Sequence, residues 1–141
     1  MIRTLALATA LGAAAPAFAQ PPPLPAPVTT TIRNLDATSS GQPIVMPSGP
    51  LRVTLSETVI PPHGKLPAHQ HPYPRYVYVA AGRLRVTNLV TGQVQELKAG
   101  DITADPVGQW HEAEALGDDS VRLFALDQAP PGAATSIRRE P

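Results

Sequence analysis

From Leu51 onward apolar and polar residues alternate with a period of two, Leu51, Val53 and Leu55 being interleaved with Arg52, Thr54 and Ser56. Successive side chains of an extended chain point to opposite faces, so this period predicts half-buried strands. Tyr76-Val77-Tyr78-Val79, Leu84-Arg85-Val86 and Val121-Arg122-Leu123-Phe124 are further short β-branched or aromatic runs, each bounded by Gly, Pro or Asp. No window sustains a helical period. Ala81-Gly82-Arg83 and Val90-Thr91-Gly92-Gln93 read as hairpin connections, since glycine reaches the positive φ of tight turns without steric cost. About seven or eight strands, spaced roughly 8 to 12 residues apart, predict an all-β sandwich or barrel over residues 51–128.

The flanks break the pattern. Residues 1–19 hold one charge, Arg3, ahead of the apolar run Leu5 to Ala15, and end in Ala17-Phe18-Ala19. That layout predicts a secretory signal peptide cleaved after Ala19, export to the periplasm or the cell exterior, and no stable membrane insertion afterwards. Residues 20–28, QPPPLPAPV, carry five prolines in nine and predict a stiff polyproline linker. Residues 29–50 combine weak apolar patterning with the turn signals Ser39-Ser40-Gly41 and Pro47-Ser48-Gly49, suggesting an arm or a short edge strand. Residues 129–141, with Pro130-Pro131-Gly132 and Arg138-Arg139, are expected to form a loose tail.

Composition narrows the chemistry. A chain of 141 residues with 11 basic and 11 acidic side chains suits one small domain and lacks the basic cluster that nucleic-acid binding needs. With no cysteine, disulfide frameworks, thiolate metal sites and a cysteine nucleophile are all excluded. His69 and His71 lie two apart in a strand expected over residues 68–79, so both rings project from one face, and His111 could approach from a neighbouring strand. Either the three imidazoles share one divalent ion with a coordination position left open, as in catalytic sites, or His-x-His is a chance pair on a polar loop. His63, after Pro61-Pro62, reads as a rim histidine, and Trp110 is expected to face away from His111.

The surroundings of these histidines resemble a cupin. The first motif of that family is matched from His69-Gln-His71 through Arg75 to Gly82, with one residue missing after Gly64. The second is matched at every spacing from Gly100 through Pro106 and Gly108 to His111. The resemblance covers residues 51–128. It implies a double-stranded β-helix, or jelly roll, of two antiparallel sheets whose pocket binds one divalent metal through His69, His71 and His111. It further suggests an enzyme similar to three-histidine dioxygenases, acting on or sensing a small molecule, with anions among the candidates, and a homodimer. No catalytic acid or base stands out in the sequence.

Two positions depart from the family pattern: Arg75 stands where the family has Glu, and Ala115 where it has Asn. Strand parity would aim Arg75 and Tyr73 into the pocket as substrate-binding residues, with Tyr76 and Tyr78 on the packing side. A guanidinium about 5 Å from a dication would be repelled by roughly 7 kcal/mol at an effective dielectric of about 20. Arg75 therefore turns away from the ion, or meets a carboxylate from a substrate or from Glu57, Glu112 or Glu114, or the pocket is a metal-free binding module with Arg75 as its anion clamp. Imidazole ligands without the Glu favour Cu or Zn, with Fe as the third choice.

Overall fold

The computed structural model describes residues 24–140, so the expected signal peptide at 1–19 lies outside the described residues. Residues 24–30 carry no regular structure. Residues 31–140 form nine strands and no helix: β1 (Arg52–Ile60), β2 (Lys65–Gln70), β3 (Arg75–Ala81), β4 (Arg83–Asn88), β5 (Val94–Lys98), β6 (Ile102–Ala104), β7 (His111–Ala115), β8 (Val121–Ala129) and β9 (Ile137–Arg138). They build two antiparallel sheets, one in the order β1-β8-β3-β6 and one in the order β5-β4-β7-β2-β9. This is the jelly roll that the resemblance implies.

The period-two pattern decides what each strand buries. In β8, Val121, Leu123, Ala125, Asp127 and Ala129 face inward, and the residues between them do not. Val77 and Val79 of β3, Leu84 of β4, Leu97 of β5 and Ala113 and Ala115 of β7 complete the inner layer with Ile60. The inward residues are mostly Val and Ala, which lets the two sheets approach closely. Gly82 turns β3 into β4 at a φ of 76°, and a Cβ there would sit 2.6 Å from the Ser120 carbonyl oxygen. Only glycine meets both demands.

Three segments differ from the sequence reading. The strand expected over residues 68–79 is two strands in different sheets, because Pro72 and Pro74 offer no amide to a ladder and the chain crosses between sheets there. The arm contributes no strand. Its Gln42 side chain instead accepts from the Val107 amide at 2.9 Å and donates to the Val107 carbonyl at 3.0 Å, taking the place of a strand partner. Part of the tail expected to be loose is β9, which pairs with β2 in the register His69↔Arg138 and Gln70↔Ile137.

Replacing Gly82 by Ala is expected to destabilise the protein by at least about 2 kcal/mol, read from the urea midpoint, through positive φ and backbone overlap together. Gly92 shares the positive φ but has open space around it, so Gly92→Ala should cost distinctly less. Equal losses at the two sites would remove the overlap with Ser120 from the explanation.

Candidate metal centre

The crossing between sheets assembles the centre. His69 lies near the end of β2 directly opposite His111, the first residue of β7. His71 sits just beyond β2, in a parallel bridge to Val107. Ring centroids are 4.5 Å apart for His69 and His111, 5.0 Å for His69 and His71, and 5.1 Å for His71 and His111. One nitrogen from each ring lies within 4.8 Å of the other two.

Backbone carbonyls fix the tautomer of every ring. The Nδ1 of His69 lies 2.7 Å from the Pro67 oxygen, that of His71 2.9 Å from the Thr135 oxygen, and that of His111 2.9 Å from the Gln109 oxygen. A carbonyl only accepts, so each Nδ1 carries the hydrogen and each neutral ring keeps its lone pair on Nε2. Burial, ahead of any other cause, lowers the pKa of all three and takes His71 to about 3. The rings are therefore neutral near pH 7, the form that binds metal. His71 is 1% exposed and its Nε2 meets no hydrogen-bond partner among the described residues. An orphaned, buried lone pair beside two others fits a divalent cation well.

Arg75 reaches this region from the opposite sheet. Its Nε and Nη2 donate to the two carboxylate oxygens of Asp127, its cross-strand partner, at 2.7 and 2.8 Å. Asp127 is 2% exposed. The carboxylate that meets the guanidinium is thus neither Glu57, which pairs with Arg122, nor Glu114, which pairs with Arg85 and Lys65, nor the exposed Glu112. This corrects the sequence reading, which overlooked Asp127. The signal for it was present, as an acid at a core-facing position of an alternating strand requires a partner.

Asp105, in the loop before Pro106, was also overlooked. Its side chain is 13% exposed and its Oδ2 lies 3.5 Å from the His71 Nε2. Burial pushes its pKa up to about 6, against the pull of Arg75 and His69. A cavity of about 220 Å³ opens beside His69 and Arg75, with Thr58, Ser136 and Arg138 on its wall. Tyr73 lies elsewhere, in the loop between β2 and β3, where it lines a surface depression with Pro43, Met46 and Val107. The parity argument for it fails with the continuous strand on which it rested. His63 is an exposed loop residue 3.2 Å from Asp118, and Trp110 carries the Arg139 guanidinium over its ring at 6.0 Å.

The histidine shifts set a direction for stability against pH. Each ring is held below its unfolded value of 6.5, so the unfolded chain takes up protons first and stability falls as the pH drops below that value. Asp105, raised from 3.8 to about 6, acts in the opposite sense and offsets one histidine of the three. The urea midpoint of metal-free protein should therefore fall from pH 7 to pH 5, by about 1.4 kcal/mol per pH unit for each histidine that charges only on unfolding. A midpoint that rises over this window would contradict the neutral trio.

Comparison with known proteins places this geometry. The chain is similar to an uncharacterized conserved protein with a double-stranded β-helix domain from Klebsiella pneumoniae, at 27% identity over 63% of this chain and 76% of that one, with a TM-score of 0.51. It shares its fold with the oxalate decarboxylase of Lactobacillus farciminis in complex with formate, at 21% identity, 61% and 26% coverage and a TM-score of 0.54. The polyketide cyclase of Streptomyces resistomycificus is similar in the same way, at 20% identity, 63% coverage of both chains and a TM-score of 0.53. No curated protein matches the sequence. The family model of the cupin domain matches residues 56–127, and with it the sheets, both motifs and the histidine trio find one explanation: the chain belongs to the cupin family.

Proposed function

We propose that this protein is an exported cupin that binds one divalent metal through His69, His71 and His111 and acts on, or senses, a small anionic molecule. The observation that carries the reading is the convergence of three Nε2 lone pairs, those of His71 and His111 buried and that of His69 half-buried, whose tautomers are set by backbone carbonyls. Three neutral imidazoles with no sulfur ligand favour Cu or Zn, with Fe third. When bound, the metal supplies a Lewis acid that polarises an oxygen of the ligand, as in three-histidine dioxygenases. The chain itself supplies the rest. Arg138 and the guanidinium nitrogen of Arg75 that Asp127 leaves free give the cavity beside His69 a positive wall that attracts a carboxylate and orients it. The bidentate pairing with Asp127 weighs against Arg75 as the clamp of a metal-free module, since that fork is already filled.

Export rests on the signal-like residues 1–19. A homodimer is supported by β1, the outer strand of its sheet, where Val53, Leu55 and Val59 on one face are 58%, 66% and 60% exposed. A long apolar edge of this kind is a pairing hazard unless a second copy covers it.

Metal analysis of protein purified from its own compartment should find about one Cu or Zn per chain, and a content near zero in the wild type would sink the metal reading. His111→Ala should weaken metal binding by roughly 100-fold or more, above the loss typical of an outer-shell change. Retention of ligand affinity by that variant, with the metal lost, would favour the metal-free module instead. Leu55→Lys should shift the sedimentation coefficient from dimer to monomer, and an unchanged coefficient would remove β1 from the interface.

A further inference from the structure

Resting on the homodimer reading, we propose that residues 28–35 of one copy pair as an added strand with β1 of a second copy, and that the second copy does the same in return. The segment, Val28-Thr-Thr-Thr-Ile32-Arg-Asn-Leu35, holds five β-branched residues in eight and no proline. That composition favours a strand. Yet the segment carries no regular structure, makes no backbone hydrogen bond among the described residues, and leaves Val28 89% and Ile32 81% exposed. β1 is its counterpart, nine residues long, paired with β8 on one side and open on the other. Laid antiparallel with Ile32 opposite Leu55, the segment sets Val28 against Val59 on the outer face, and Thr29 and Thr31 against Thr58 and Ser56 on the inner one. At these four pairs apolar side chains meet apolar ones and hydroxyls meet hydroxyls.

The segment cannot reach β1 of its own chain. Four residues after Leu35, Ser39 donates its amide to the Ala104 carbonyl at 2.8 Å, which anchors the arm outside β6, at the far edge of the order β1-β8-β3-β6. From there to a strand added beyond β1 is five inter-strand spacings, about 24 Å. Four residues span at most about 14 Å. A second copy removes the difficulty. The outer face of this sheet carries the cross-strand rows Leu55-Leu126-Tyr76 and Phe124-Tyr78-Ile102, with Leu55 and Tyr78 exposed. Two such faces packed about a twofold axis parallel to the strands bring β6 of one copy over β1 of the other, about 10 Å away. The four-residue link then suffices, and one arrangement covers the apolar face and the open edge together.

The test uses the full chain, in which every introduced thiol is unique because the sequence has no cysteine. Ile32→Cys and Leu55→Cys variants, co-expressed and oxidised, are expected to give a covalent dimer on non-reducing electrophoresis, whereas either variant alone gives none. The double change Thr30→Pro and Thr31→Pro removes two successive amides, one of which faces β1, from a segment with no regular structure to lose. It is expected to raise the dimer dissociation constant, read by sedimentation, about tenfold or more. An unchanged dissociation constant overturns the exchange, and so does a co-expressed pair that forms no cross-link. A cross-link that forms only within single chains carrying both Ile32→Cys and Leu55→Cys overturns it as well. In each of these outcomes a wild type that sediments as a dimer leaves the homodimer reading standing, while a monomeric wild type overturns both.

Discussion

Three hydrogen bonds from imidazole Nδ1–H groups to the carbonyls of Pro67, Thr135 and Gln109 are what the rest of the centre depends on. Without them the rings could rotate or exchange tautomers, and the lone pairs would no longer converge. The carbonyls come from three separate segments. Pro67 lies in β2, Gln109 just before β7, and Thr135 in the C-terminal segment that closes over β2 as β9. The site is therefore only as rigid as the docking of that segment, and residues far apart in the chain are held to one task.

The second constraint is electrostatic. A guanidinium beside a cation site would oppose binding, and the fold resolves this by pairing Arg75 with Asp127 directly across two strands of the facing sheet. Buried ion pairs stabilise little on their own, but removing one partner leaves a bare charge in a low dielectric. Here the pairing turns a repulsive group into a structural one and leaves Asp105 as the negative charge nearest the histidines. Arg138 lies with Arg75 on the wall of the cavity beside His69.

Much of this was legible in the chain. The alternation from Leu51, the hairpin glycines and the two spaced motifs gave the jelly roll and brought His69, His71 and His111 to one place, because strand periodicity and turn chemistry are local properties. The parity argument that aimed Tyr73 at the pocket failed at Pro72 and Pro74, where the chain leaves one sheet for the other and the period restarts. Gln42 was hidden for a different reason. A side-chain amide that replaces a strand partner leaves no periodic trace.

What the amino-acid sequence determined by itself was the all-β architecture and the identity of the three imidazoles, since both follow from spacing along one strand or within one motif. Only the tertiary structure decided which carboxylates face them. Asp127 and Asp105 lie in a different strand and a different loop from Arg75 and His71, and the partner of a buried charge is chosen by the packing of one sheet against the other. The same packing turned a proline-rich tail into β9 and made the Thr135 carbonyl part of the centre, a contact across 64 residues of chain that no local pattern encodes.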